Sequence, residues 1–174
     1  MEKLRAENLN RRSVDDFREA AKMPFAFVLD NVRSGLNVGS IFRTADAFAF
    51  ERVVLCGITA QPPHREILKT ALGSTDSVAW SHFSETTEAI RHLKNEGYTV
   101  LAVEQTSTKM WLQDFVAQPA QRYAFVLGNE VEGVSEGALA LCDGALEIPQ
   151  FGTKHSLNVA VAAGIVAWQC VPHP

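Results

Sequence analysis

Four polar residues, Lys154, His155, Ser156 and Asn158, stand immediately before the apolar run 159–168 in "IPQFGTKHSLNVAVAAGIVAW". A helix N-terminus needs one capping residue, and Ser156 would suffice. Asn158 is then unexplained, because asparagine is a poor helix-interior residue and its amide needs a partner when buried. A ligand at that end of the helix could supply one. A second cluster, "FVLGNEVEGVS", places Gly128, Asn129, Glu130 and Glu132 directly after a buried apolar run. Glycine there lets backbone approach a flat ligand closely, although an acidic surface turn is the commoner fate of such glutamates. A third, "NVRSGLNVGSIFRTADAF", carries Asn37 and, six residues on, Arg43. In the bland reading Asn37 caps a helix and Arg43 is a solvated charge. In the functional one Arg43, flanked by Ile41, Phe42, Ala45 and Ala47, presents its planar fork to a phosphate.

Other chemistries find no support. Neither G-x-G-x-x-G nor G-x-x-x-x-G-K-[ST] occurs, which argues against the usual nucleotide sites. No G-x-S-x-G marks a hydrolase nucleophile. The five histidines show no H-x-x-x-H spacing, so no metal site is expected. Glu130 and Glu132 are too close in sequence to take the two glycosidase roles.

The elements that position these clusters follow from the apolar pattern. Strands are expected at 25–29, 52–55, 77–80, 99–103, 123–127 and 145–148, and helices at 38–48, 65–72, 86–96, 135–141 and 156–169. Fully apolar strands alternating with helices predict an α/β domain, a mostly parallel sheet with helices on both faces. In such sheets ligands bind at the carboxyl ends of strands, where all three clusters fall. Residues 1–22, charged and sparsely apolar, read as a helical N-terminal extension to a domain at 23–174.

Composition sets the remaining bounds. The 174 residues suit one domain, and the net charge of −4 gives no sign of a strongly basic polyanion binder. The charge is unevenly spread: residues 1–84 hold 11 basic and 10 acidic residues, residues 85–150 hold 4 and 10. A polyanion should therefore meet the N-terminal half, near Arg11, Arg12, Arg33, Arg43, Arg65 and Lys69. Cys56, Cys142 and Cys170 are odd in number and widely spaced, as expected of buried thiols in a reducing compartment. The polar N-terminus does not read as a signal peptide, and 159–168 is far short of the ~20 residues of a membrane span, so a cytoplasmic protein is expected.

Together the three clusters resemble the three motifs of the SpoU (TrmH) family of RNA 2′-O-ribose methyltransferases, in the SPOUT superfamily. The similarity covers about residues 24–170, and the third motif is its most specific part. The resemblance implies a C-terminal deep trefoil knot and a homodimer with catalytic sites beside the interface. It also implies S-adenosyl-L-methionine held by backbone around residues 103–105, with Glu104, Gly128, Ile148 and Leu157 as cofactor-binding residues. Asn37, Arg43, Glu130, Ser156 and Asn158 correspond to residues that perform or shape catalysis. The implied reaction is in-line attack of a ribose 2′-hydroxyl on the sulfonium methyl. Family models make Arg43 a proton acceptor. A guanidinium is essentially always protonated, so binding a phosphate and stabilising developing alkoxide is the better physical role. The short N-terminal segment leans the RNA substrate slightly towards tRNA over rRNA. The rival readings are a catalytically idle knotted RNA-binding homolog and a metabolite-binding α/β protein.

Overall fold

The computed structural model describes Lys3 and residues 12–172. Seven strands, β1 (Met23–Asp30), β2 (Phe50–Cys56), β3 (Ala79–Phe83), β4 (Tyr98–Val103), β5 (Met110–Trp111), β6 (Arg122–Leu127) and β7 (Gly144–Glu147), form one sheet in the order β3-β2-β1-β6-β4-β7-β5. Every pairing is parallel. The helices are α1 (Val14–Glu19), α2 (Gly35–Ala47), α3 (Arg65–Ala71), α4 (Ser74–Ser77), α5 (Thr86–Asn95), α6 (Glu136–Leu139) and α7 (Val159–Cys170).

The period-2 alternation of strand side chains divides the core into two layers. Phe25, Phe27 and Leu29 of β1 join Phe125 and Leu127 of β6 on one face, under Ile41 and Phe42 of α2 and Ala163 and Val166 of α7. Ala26 and Val28, with Ala124 and Val126, face Ile90 and Leu93 of α5 and Ala138 of α6. Both faces are covered, as the uninterrupted apolar strands require.

Several expected boundaries move for local reasons. The segment expected as a strand at 77–80 splits, because Ser74–Ser77 close a helical turn and the strand begins only at Ala79. Two-residue β5 lacks the length for an alternating signal. Of the expected N-terminal extension, α1 is described: Ser13 caps it, Phe17 enters the core and Arg18 Nε donates to the Asp76 carbonyl at 2.8 Å. Residues 1, 2 and 4–11 of that extension lie outside the described residues. Cys56 and Cys170 are buried and Cys142 half-buried, and burial pushes each thiol up to about 12. No helix among the described residues is long and apolar enough to cross a membrane.

Because all strands run the same way, the segments after β1, β4, β6 and β7 emerge at one end of the sheet. There the buried Asp30 ties two of them together. Its carboxylate accepts from the Ser135 amide at 2.7 Å, from Thr86 Oγ1 at 2.5 Å and from Asn31 Nδ2 at 2.9 Å.

Candidate active site

The segment after β6 is a closed loop built around Gly128. A Cβ there would fall 1.9 Å from the Gly133 carbonyl carbon and 2.1 Å from the Val134 nitrogen. Asn129 and Gly133 exchange both backbone hydrogen bonds at 3.1 Å, and Asn129 Oδ1 accepts from the amides of Val131 and Glu132 at 2.8 Å. Gly133 turns the chain at φ 71°, a conformation in which a Cβ would meet Glu104 Oε2 at 2.2 Å. That carboxylate, at the end of β4, accepts from the amides of Gln105 at 2.8 Å and Val134 at 2.9 Å. Glu104 thus fixes the shape of the loop.

Asn37, Glu130 and Asn158 form one hydrogen-bonded chain. Asn37 does not cap α2: Ser34 does, accepting from the Asn37 amide at 3.3 Å, and the helix begins at Gly35. Freed from that role, Asn37 Nδ2 donates to Glu130 Oε1 at 2.9 Å while its Oδ1 accepts from Asn158 Nδ2 at 3.2 Å. Asn158, expected inside α7, is instead its N-cap, accepting from the amides of Ala160 at 2.9 Å and Val161 at 3.4 Å. Ser156 therefore does not cap α7; it lies exposed at the edge of the cleft described below. The capping satisfies orphan amides and leaves each amide of the chain with a fixed orientation.

Partial burial disfavours the Glu130 carboxylate, but hydrogen bonds from Asn37 and from nearby backbone amides, Arg33 among them, outweigh it and hold its pKa below the usual range. A depressed folded-state value means that the Asn37–Glu130 link is present above the ordinary carboxylate range and is lost as pH falls through the lowered value. Carboxyl NMR titration should find Glu130 below an ordinary glutamate, and Asn37→Ala should move it up. An unmoved titration in that variant would remove Asn37 as the cause.

A cleft of about 300 Å³ opens between these loops. Glu104, Gly128, Glu130, Ile148, Ser156 and Leu157 all line it, and Asn37 and Asn158 stand behind Glu130 at its rim. Gln105 Nε2 donates to the His155 carbonyl at 2.8 Å, closing the wall between the segments after β4 and β7. Among the described residues four carboxylates, Glu104, Glu130, Glu132 and Glu147, line the cleft and no lysine or arginine does, although Lys109 pairs with Glu147 at 2.5 Å. Leu127, Leu146 and Val159 add to the apolar part that Ile148 and Leu157 begin. Such a lining suits a flat ring and a cation. Arg43 is not there: it is exposed and lines a separate depression between α2 and α3.

The chain matches the SpoU rRNA Methylase family over residues 24–168. It belongs to that family. It is 33% identical over 160 residues to a Thermus thermophilus tRNA (guanosine(18)-2′-O)-methyltransferase, covering 91% of this chain and 80% of that protein. It is 28% identical over 166 residues to a Vibrio vulnificus 23S rRNA (guanosine-2′-O-)-methyltransferase, covering 95% of this chain and 66%, just under two thirds, of that protein. Among solved structures, the AdoMet-bound rRNA methyltransferase from Sinorhizobium meliloti superposes with a TM-score of 0.78 at 26% identity, over 88% of this chain and 58% of that one. The SpoU fold thus accounts for the all-parallel sheet and its helical layers.

Residues that pattern reading missed are those that hold the loops of this SpoU domain. Asp30, Asn31 and Thr59 are the main ones. Asn31 adopts φ 55°, and its Oδ1 accepts from the Ile58 amide at 3.1 Å. Thr59 Oγ1 donates to the Leu29 carbonyl at 3.1 Å and accepts from the Val32 amide at 3.0 Å. The signal available for Asp30 was its position, an acid ending a wholly apolar strand.

Proposed function

We propose that this chain is an S-adenosylmethionine-dependent RNA methyltransferase that modifies a ribose 2′-hydroxyl, with tRNA favoured over rRNA. The observation that carries the proposal is convergence: Glu104, Gly128, Glu130, Ile148, Ser156 and Leu157, drawn from the three segments after β4, β6 and β7, meet in one cleft. The lining fits the cofactor. Its apolar walls accept an adenine ring, its carboxylates suit a cationic sulfonium, and its volume lies at the lower edge of the range for small-molecule sites. Bound there, S-adenosylmethionine supplies the electrophilic methyl group. The chain itself must hold the hydroxyl in line and assist loss of its proton.

Asn37, itself held by Asn158, donates to the Glu130 carboxylate at the rim of the cleft and favours its ionised form. From there it orients the ribose, and Ser156, exposed at the same edge, offers a hydroxyl for a proton relay. Arg43 binds the neighbouring phosphate and stabilises negative charge as it develops on the attacking oxygen. The higher identity to the Thermus tRNA methyltransferase, 33% against 28% for the Vibrio rRNA enzyme, supports the lean to tRNA.

The domain at 23–174 follows an N-terminal extension at 1–22, whose described helix α1 packs on α4, and its C-terminal segment is threaded as a trefoil knot. A chain path in which β7 lies between β4 and β5 before α7 returns to pack on α2 supports that threading. The working unit is a homodimer. Val161 and Ile165 of α7, with Leu157 just before it, expose an apolar stripe that runs on from the cleft, and a second copy of the chain would cover it. The separation of Arg43 from the cleft within one chain supports a site completed beside that interface. Light scattering at micromolar concentration should give twice the mass of the chain, and a monomer there would contradict the shared site.

The deciding experiment is transfer of labelled methyl groups to total tRNA and rRNA, with mapping of the modified nucleotide. Label on a ribose 2′-oxygen is expected. Cofactor binding without transfer to any RNA would defeat the catalytic reading.

A further inference from the structure

We propose that the depression between α2 and α3 is a seat for a backbone phosphate of the RNA substrate, with Lys69 as a positioning residue beside Arg43. The inference rests on the RNA-directed reading above. The depression measures about 500 Å³, and Ser40, Arg43, Thr44, Lys69 and Thr70 form its polar lining, with Phe48 beside them. Among the described residues it is lined by two cations and no carboxylate, in a chain whose acids outnumber its bases 20 to 16. The cleft around Glu130 has the opposite lining, four carboxylates and no lysine or arginine. Within one domain the two hollows differ in sign: the cleft suits the cationic cofactor, and the depression attracts the phosphates of a polyanion.

The seat is rigid for reasons readable in its residues. Gly39 brings the two helices close, since a Cβ there would fall 2.2 Å from Thr70 Oγ1 and 2.3 Å from the Ile67 carbonyl oxygen. Thr70 Oγ1 of α3 donates to the Leu36 carbonyl of α2 at 2.9 Å, which fixes α3 against α2, and Ser40 Oγ donates to the same carbonyl at 2.9 Å within α2. Those two hydroxyl protons are therefore committed to the scaffold. The donors left for a ligand are the Arg43 guanidinium, the Lys69 ammonium and the Thr44 hydroxyl, none of which makes a hydrogen bond or ion pair among the described residues. A fork and a point charge on two braced helices suit a phosphate diester, which has no proton to give and accepts from both.

The test uses the full chain, total tRNA as the binding probe, and the variants Lys69→Gln and Lys69→Arg. Lys69 is exposed, so both variants should fold. Lys69→Gln should weaken tRNA binding by about tenfold at low salt and lower the slope of log affinity against log salt by about one. KM for RNA should rise with it while kcat moves far less, and Lys69→Arg should restore most of the affinity. S-adenosylmethionine affinity, read by calorimetry, should stay at the wild-type value. An unchanged salt slope and KM in Lys69→Gln would overturn the proposal, as would a wild-type protein with no salt-dependent tRNA binding. Loss of affinity accompanied by dissociation to monomers would also overturn it, assigning the depression to the subunit contact. Methyl transfer by the wild type is scored separately, so an inactive protein that still binds RNA defeats the activity reading and leaves this one decided by the slope.

Discussion

Arg43→Ala is expected to cut methyl transfer by about 10²-fold or more, with S-adenosylmethionine affinity nearly intact. The two halves of that expectation come from different places in the structure. Affinity should survive because Arg43 lines the α2–α3 depression and takes no part in the cleft that holds Glu104, Gly128, Ile148 and Leu157. Turnover should collapse because a guanidinium cannot act as a base at neutral pH, which leaves it the task of holding a phosphate and countering charge on the attacking oxygen. Groups that meet charge only as it develops lower the barrier without tightening the ground state. Arg43→Lys should rescue poorly, since a flexible ammonium cannot copy two parallel N–H donors. A solvated helix arginine would predict near-wild-type turnover for both variants. Single-turnover assays at saturating RNA separate the two, and activity in Arg43→Ala within a few-fold of wild type would sink the assignment.

Sequence and structure agree most closely where the physics is local and periodic. The apolar runs place β1, β4, β6 and β7 to within a few residues, because a strand buried on both faces must be apolar throughout. The capping assignments miss because Ser34 and Asn37, and again Ser156 and Asn158, are pairs of good caps a few residues apart. Residue type alone does not choose between them. The choice matters for function. With Ser34 as the cap, Asn37 is free to bond Glu130; with Asn158 as the cap, its oxygen serves α7 and its nitrogen serves Asn37. Glu104 shows the other limit. Its carboxylate supports the Gly133 turn across a sequence separation that no window of residues spans, and only the neighbouring positions of β4 and β6 in the sheet make the contact. The sign-sorted hollows are likewise tertiary, since each gathers charges from distant segments.

Gly128→Val should abolish S-adenosylmethionine binding while the sheet remains folded. Even alanine places a Cβ 1.9 Å from the Gly133 carbonyl carbon and 2.1 Å from the Val134 nitrogen, and those neighbours are backbone, which cannot swing aside as a side chain can. The loop must open. Opening it breaks the paired hydrogen bonds of Asn129 with Gly133 and the Val134 amide's bond to Glu104, so the wall that carries Glu130 moves as well. The sheet itself should hold, because Tyr123 to Leu127 stay buried between their parallel neighbours and the nearest atoms to the new Cβ belong to Gly133 and Val134, outside the strands. Calorimetry should find affinity lower by about a hundredfold or more, at least ~2.7 kcal/mol, with a single cooperative unfolding transition. Gly137→Ala is the matched control: its Cβ would meet only Thr87 Cγ2, at an ordinary 3.5 Å, so binding should be unaltered. Unchanged affinity in Gly128→Val would mean that this loop does not form the cofactor wall, and the cleft would lose its assignment.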